Sequence, residues 1–533
     1  MDPVKYYLRQ STVIEPIIWN WYALPYLISP STFPFFIYDK IKMMRSFIAA
    51  PDLHEMATSD AATVGRTFLN KPANQVGSVL QLLNRILSHT ERHIEFADGV
   101  FKLNEYLLKE GNGYSLERLY KSVPEILKGY VELLYDINNQ PGFRFFESLL
   151  YKSDLYDVSG QSFYLYKMNH LIRGHVLDTP RLDHNDAYEL KTPFVDASID
   201  KLSRLKSIPQ SLEAIKLLLP EITDQLLNSL FTQVPPDFKA DRNYDGRDIR
   251  IRFFGHACVL LQTSEVNILI DPFISYLNEN DNYTFSDLPD HIDYVLITHN
   301  HGDHIILEYL LQLRYKIKNI VVPRNGNGNL EDPSLKRLLK SIGFENVIEL
   351  DELDSIKIPG GEIIGLPFLG EHCDLNIHSK ILHLVKLKNK SILLASDSSN
   401  LEIQVYKILK QIVGEIDIVF LGMESEGAPL SLNYGPFMPK ELNKKMDHSR
   451  RVNGSDFESG YAIIKEFNPK EIYVYAMGLE PWTKYILGIM YTEESVQLQE
   501  AEKLISAASK EGIHAELLEL KRELILNTDK ENQ

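Results

Sequence analysis

Cysteine is scarce: Cys258 and Cys373 are the only two among 533 residues. That excludes a disulfide framework and leads one to expect a reducing, cytoplasmic setting. Long apolar runs are missing too. The first forty residues are aromatic-rich, yet Glu15, Pro16, Pro25 and Pro30 break every hydrophobic stretch. None reaches the roughly 18–20 apolar residues that a membrane helix requires, so no membrane association is expected. No basic start precedes an uninterrupted apolar segment, so no secretory leader is expected either. Positive charge is in deficit, with a net charge of −17, which disfavours nucleic acid as a partner. Internal repeats and low-complexity tracts are absent. What remains is a folded globular chain, 44% hydrophobic and 24% charged, whose length predicts two domains.

From residue 40 to 232 the periodicity is mainly helical, with apolar residues three and four apart at 79–87, 116–134 and 211–231. Residues 159–166 alternate and predict a strand. The segment from Val234-Pro235-Pro236-Asp237 to Asn243-Tyr244-Asp245-Gly246 has the composition of a linker. It places a boundary between a mainly helical α+β unit, 1–245, and a second unit, 246–533. In the second, strands are predicted at 249–254, 258–262, 266–270, 294–298, 319–322, 362–368, 381–387, 391–395, 416–421 and 471–475. Helices are predicted at 305–315, 335–341, 401–413 and 460–467. Strand runs followed by mixed strands and helices predict two packed sheets with helices outside.

Residues 299–304 read His-Asn-His-Gly-Asp-His, directly after the apolar run 294–298. On extended backbone alternate side chains share a direction, so His299 and His301 can grip one ion. Asp303 and His304 lie on the turn that follows and can reach a second. A solvated polar loop is the weaker reading for four such residues after a core strand. Two later strand ends carry further candidates: Glu371-His372 after 362–368, and Asp397 after 391–394. A helix-capping role for Asp397 fits poorly, because the helix near 401 begins too far on.

The pattern His-x-His-x-Asp-His resembles the metallo-β-lactamase superfamily. The resemblance implies an αββα sandwich in which Asp397 bridges two ions. Hydrolases of that fold place a third histidine where this chain has Glu371-His372, and His372 could fill the role. The spacing from His299 through Glu371 to Asp397, however, resembles a distinct branch, the di-iron β-hydroxylases of nonribosomal peptide assembly typified in the chloramphenicol pathway. There a glutamate replaces the third histidine. The long helical first domain and the total length are also similar.

This resemblance implies metal ligands His299, His301, Asp303, His304, Glu371 and Asp397. It further implies two iron ions, dioxygen as co-substrate, an external electron donor and a homodimer. The partner would be a peptidyl carrier protein bearing a phosphopantetheine-tethered amino acid. Residues 1–245, which carry no recognisable chemistry of their own, would cover the site and shape carrier access. Three carboxylates with three imidazoles form a hard, oxygen-rich set suited to iron or manganese, and carboxylates stabilise high oxidation states. The alternative is a zinc or manganese hydrolase of an ester, lactone or phosphodiester, using the same cage to sharpen a hydroxide. A degenerate binding module is disfavoured because all six ligand positions are retained.

The late strand at 472–477 lacks the final histidine of the hydrolases. His448 is the downstream candidate, as a ligand or a catalytic proton-transfer group, and an exposed loop histidine is the competing reading. His256 and Asp271 resemble family positions near the metals, Asp271 as an orienting carboxylate; both have ordinary structural alternatives. His378 and His383 read as structural, Cys373 and Trp482 as packing. Glu424 and Glu426 end a strand and can face the site. Lys440, Lys444, Lys445, Arg450 and Arg451 form a basic cluster suited to an acidic carrier or to plain solvation.

Overall fold

Strands of alternating or wholly apolar character build two seven-stranded sheets that stack face to face. The computed structural model describes residues 4–59, 68–182, 186–440 and 442–527. Across the first sheet the order is Val347–Leu350, Ile317–Pro323, Ile292–Leu296, Asn267–Ile270, Cys258–Gln262, Ile249–Gly255 and Arg522–Leu526. The second runs Ser355–Ile358, Gly361–Leu366, Leu382–Leu387, Lys390–Leu394, Ile418–Gly422, Glu471–Tyr475 and His514–Leu517. Alternation decides the facing. Ile249, Ile251 and Phe253 pack against Val385, Ile392 and Phe420 between the sheets, while Phe254 turns to the outer core. Helix Leu307–Leu313 covers the first sheet, and Ile403–Val413, Phe457–Phe467 and Val496–Lys510 cover the second. The four layers are those of an αββα sandwich.

The ten predicted strands are present within about two residues, as expected of sequence-read boundaries. The sequence reading missed the short strands at 347–350, 355–358, 514–517 and 522–526. Most of those strands are only partly buried, so their hydrophobic contrast is weak. The last of them returns to the first sheet, antiparallel to Ile249–Gly255.

The first 232 residues are more mixed than their periodicity predicts. Helices Phe33–Ala49, Val76–His89 and Glu91–Glu110 are as expected in kind. They pack beside a sheet ordered Trp21–Tyr22, Thr12–Ile18, Gln161–Lys167 and Ala187–Leu190. The helix expected over 116–134 is instead a 3₁₀ turn, Leu116–Ser122, followed by strand Val131–Tyr135. Pro124 and Gly129, at φ 83°, stop helical propagation between them. The stretch 211–231 is split into Leu212–Leu218 and Asp224–Leu230 by Pro220 and by Glu221 at φ 66°.

Between Phe231–Thr232 and Ile249–Gly255 there is no helix or strand, but the hydrophobic core does not stop there. Val13, Ile37, Phe163 and Leu230 belong to the same buried cluster as Phe254, Ile297, Leu310 and Tyr485. A buried ionic chain crosses the same seam. Arg173 donates through Nη2 to Glu15 Oε2 at 2.9 Å and through Nη1 to Glu308 Oε1 at 2.8 Å. Arg181 Nε and Tyr166 OH complete the shell of Glu15 at 2.8 and 2.7 Å. Burial alone would raise the carboxyl of Glu15; Arg181 and Arg173 outweigh it and hold the group down at about 2. Glu308 lies on the helix that opens just after His304, so this chain anchors the His-rich motif to the first half.

Candidate metal centre

Every candidate metal ligand except His448 lies just past the carboxyl end of a strand, where loops from both sheets meet. His256 follows Ile249–Gly255, Asp271 follows Asn267–Ile270, and the 299–304 motif follows Ile292–Leu296. From the second sheet, Glu371 follows Gly361–Leu366, Asp397 follows Lys390–Leu394 and Glu424 follows Ile418–Gly422. The sheets are tied at this point: Ile381 N–H donates to Thr298 O at 2.8 Å, and His299 bridges to Lys380. The strand before the motif ends at Leu296, so His299 and His301 sit on loop backbone and present different ring nitrogens.

Glu371 Oε1 lies 2.9 Å from His301 Nδ1. Asp397 Oδ2 stands 2.8 Å from His304 Nε2 and 3.7 Å from His299 Nε2. Asp303 Oδ2 is 3.5 Å from His304 Nε2 and 3.2 Å from His256 Nε2. Three overlapping groups of metal-competent atoms result: His299, His301 and Glu371; His299, His304 and Asp397; and His256, Asp303 and His304. The six predicted ligands thus converge, and His256 joins them. His448 does not. It stands exposed on helix Lys444–Ser449, outside these groups, which matches the exposed-histidine reading rather than the ligand or proton-transfer one.

The neighbouring Glu371 and His372 have separate roles. Glu371 takes a left-handed φ of 71°, in a turn with Gly370, Cys373 and Asp374 also at positive φ. Such backbone costs on the order of 1–3 kcal/mol per non-glycine residue and persists only where the surroundings dictate it. Here the turn swings the Glu371 carboxylate into the cluster. His372 stands outside the three groups, its Nε2 2.9 Å from Asn300 Oδ1 and its ring stacked on His301 at 4.5 Å.

Asp271 acts from behind. Its carboxylate accepts from Thr298 N–H at 2.9 Å and from Thr298 Oγ1 at 2.6 Å, and it meets His304 Nδ1 at 2.9 Å. That contact leaves Nε2 of His304 as the outward nitrogen. Thr298 Oγ1 similarly meets His299 Nδ1 at 3.0 Å, and Tyr434 OH meets His301 Nε2 at 2.8 Å. His383 bonds the carbonyl of Ile297, as a structural histidine would.

The electrostatics fit a cation. His299 Nε2 and Asp397 Oδ1 are buried without any hydrogen-bond partner in the structure, and His304 Nε2 faces only carboxylates, an arrangement that is costly unless another group completes it. Burial and the imidazoles of His304, His301 and His372 hold His299 well below the usual histidine range. Burial opposes charge on His304 as well, but Asp397, Asp303 and Asp271 carry it well above that range. Burial, with Asp397, Glu371 and Asp303 nearby, pushes Glu424 far above the ordinary carboxylate range. Glu426 is exposed and lies opposite Arg451 at 3.9 Å.

Of the basic cluster, Arg450 donates to Cys373 O, and Lys440, Lys444 and Lys445 are exposed. Cys373 is buried, its thiol pushed up to about 12 by that burial. Trp482 is buried in the main core. Tyr434 and Asn300 are the contacts that sequence reasoning missed. Tyr434 lies 133 residues from His301, and nothing in Asn433-Tyr434-Gly435-Pro436 signals a site.

Residues 7–235 match the family described as the diiron non-heme beta-hydroxylase N-terminal domain, and 250–373 match the beta-lactamase superfamily domain. The chain is 33% identical, over 98% of its length and 100% of the relative's, to a Streptomyces venezuelae enzyme. That relative is the 3-hydroxylase of 4-amino-L-phenylalanyl-CmlP-peptidyl-carrier-protein. The fold matches the crystal structure of CmlA, a diiron beta-hydroxylase from Streptomyces venezuelae, with a TM-score of 0.92 at 31% identity. That match covers 98% of this chain and 100% of the other. A stretch of 57 residues, 11% of this chain and 24% of the relative, is 37% identical to a metal-dependent hydrolase of Rhizobium johnstonii.

Proposed function

Because the chain belongs to the diiron non-heme β-hydroxylases, we infer that it hydroxylates the β-carbon of an amino acid held as a thioester on a peptidyl carrier protein. One oxygen atom of dioxygen enters the β-carbon–hydrogen bond. The other leaves as water, with two electrons from an external donor and two protons. A benzylic β-carbon, weakened by its ring, is the substrate class this chemistry suits.

The ligand reading gives His299, His301, Glu371 and Asp397 to one iron, and Asp303, His304 and the shared Asp397 to the other, with His256 beside the second. Supporting it are the orphaned nitrogen of His299 and the carboxylate of Glu371 turned inward. When bound, the metal pair supplies the reduction of dioxygen and the oxidising power to break the carbon–hydrogen bond. The protein's own residues prepare that event. Asp271 and Thr298 set which nitrogens of His304 and His299 face the centre. Glu424, whose carboxyl is pushed up by burial and by Asp397 and Glu371, is the group beside the site suited to carry a proton. Burial of the imidazoles keeps bulk water from the ligand nitrogens.

The observation that carries the oxygenase reading over hydrolysis is Glu371, whose carboxylate makes the donor set harder than one with a third histidine in its place. The full-length relative supports the same choice, and the hydrolase alternative has only short or weak likenesses behind it. A cytoplasmic location and a homodimer complete the reading. The former is supported by two free cysteines, and no described helix is long and apolar enough to cross a membrane.

The direct test is mass spectrometry of aminoacyl-loaded carrier domains incubated with iron-loaded enzyme, reductant and oxygen. A gain of one oxygen atom is expected; iron-loaded enzyme that leaves every loaded carrier unchanged while cleaving esters would overturn it.

A further inference from the structure

His301 is the one histidine of the motif whose inward atom is Nδ1, so its outer nitrogen, Nε2, points away from the cluster and into the protein. There it meets a single side chain, Tyr434, whose hydroxyl lies 2.8 Å away. Tyr434 ends the short helix Leu430–Tyr434 and is 1% exposed. The tyrosine is held in turn by residues from the far end of the chain. Tyr26 packs in the same buried group, and its ring stacks on Phe36 at 5.0 Å and meets Phe437 edge-on at 5.6 Å.

We propose that Tyr434 is a positioning residue that fixes His301 as an Nδ1 ligand: its hydroxyl accepts a hydrogen bond from Nε2–H and so favours the tautomer in which Nδ1 can bind metal beside Glu371. This rests on the ligand reading given above and extends it to a residue outside the motif. The physical case is the general one for metal-bound histidine. A ring nitrogen can bind metal only if it carries no proton, and the partner of the other nitrogen decides where that proton sits. His299 and His304 receive this service from Thr298 and Asp271, both beside the motif. His301 has neither within reach of Nε2, and the hydroxyl of Tyr434 takes the place. Of its other contacts, Glu371 Oε1 faces Nδ1 at 2.9 Å on the side a metal would occupy, and His372 stacks on the ring at an interplanar angle of 15°, fixing its plane.

A tyrosine retained only to fill space would make the same ring contacts with Leu430, Ile377 and Cys373, so the hydroxyl must be tested apart from the ring. Tyr434→Phe does this. Metal-free full-length protein and the variant are titrated anaerobically with cobalt(II) alone, followed by visible absorption, with melting curves as a check on folding. The unaltered protein is expected to take up cobalt in two steps. In Y434F one step weakens about 10–100-fold and its absorption band shifts, the other step is unchanged, and the melting curve of the metal-free protein stays put. Two steps of unaltered affinity in Y434F would overturn the proposal. So would a parallel weakening of both, which would mark general loosening. If the unaltered protein takes up no cobalt, the underlying metal-centre reading fails first, and that result is distinct from either.

Discussion

Glu371 and His301 meet at 2.9 Å through Oε1 and Nδ1, while the histidine next to Glu371 in sequence spends its Nε2 on Asn300. The turn that produces this is wound through positive φ at Gly370 and Glu371. One residue of difference in where the backbone reverses would exchange the two side chains, and with them a hard oxygen donor for a softer nitrogen.

On the proposed ligand reading, replacing Glu371 by Ala removes a ligand, whereas His372→Asn removes a stacked neighbour and its bond to Asn300. E371A is expected to retain about half the iron of the unaltered enzyme and to lose more than about a hundredfold in hydroxylation, beyond the usual cost of losing an outer-shell partner. H372N should keep its full iron content. Elemental analysis beside the carrier mass assay separates them; full iron in E371A would refute the assignment.

Iron should also stabilise the fold. Free ligand at a hundredfold excess over its Kd adds about 2.7 kcal/mol per site when it binds only the native state. Chelation is expected to lower the melting temperature, and ferrous iron added without oxygen to restore it. A melting temperature indifferent to both would count against a metal cage at 299–304.

Arg173 sits between two buried carboxylates, Glu15 and Glu308. Arg173→Met leaves Glu308 with tyrosine hydrogen bonding but no directly paired cation, and should cost about 3–5 kcal/mol in urea unfolding. The carboxyl of Glu15 is held near 2 in the fold, below its usual value of 4.5. Its contribution is therefore complete above pH 4.5 and is lost as pH falls toward 2. R173M should blunt the acid limb of the stability curve. An R173M curve parallel to that of the unaltered protein would show that Arg173 does not depress the group.

Glu147 carries the opposite sign. It is buried, accepts from Ser334 N–H at 2.9 Å and from Asn325 Nδ2 at 3.1 Å, and burial raises its carboxyl from 4.5 to about 7. The native state then binds more protons than the unfolded chain between those values, so stability falls as pH climbs through the window. Glu147→Gln removes the slope. Relative to the unaltered protein, E147Q should gain on the order of 2–3 kcal/mol between pH 5 and pH 8. Chemical denaturation at the two pH values measures it, and an equal difference at both would sink the claim.

The legible part of this molecule is the part written locally. The 299–304 cluster occupies six consecutive positions behind an apolar strand, and Asp397 and Glu371 each follow a strand of the second sheet, so strand ends alone suffice to collect them. Tyr434 was illegible because its partner is distant and its own neighbourhood is that of an ordinary turn. Strand Thr12–Ile18 was hidden for a related reason. Glu15 and Pro16 interrupt its apolar pattern, and Glu15 is tolerable at full burial only because Arg173 and Arg181 arrive 158 and 166 residues later. Periodicity over 116–134 misled because it registers apolar spacing and not the arrest imposed by Pro124 and Gly129.

The hydrophobic interior that runs unbroken from Val13 to Tyr485 has a practical meaning for anyone wishing to shorten the enzyme. Cutting within 233–248 would strip oil-like surface bare on both fragments and strand Glu308 without its guanidinium. The sandwich here is thus not a portable cassette: its oxygen chemistry and its leading half are bound to travel, and to be inherited, as one piece.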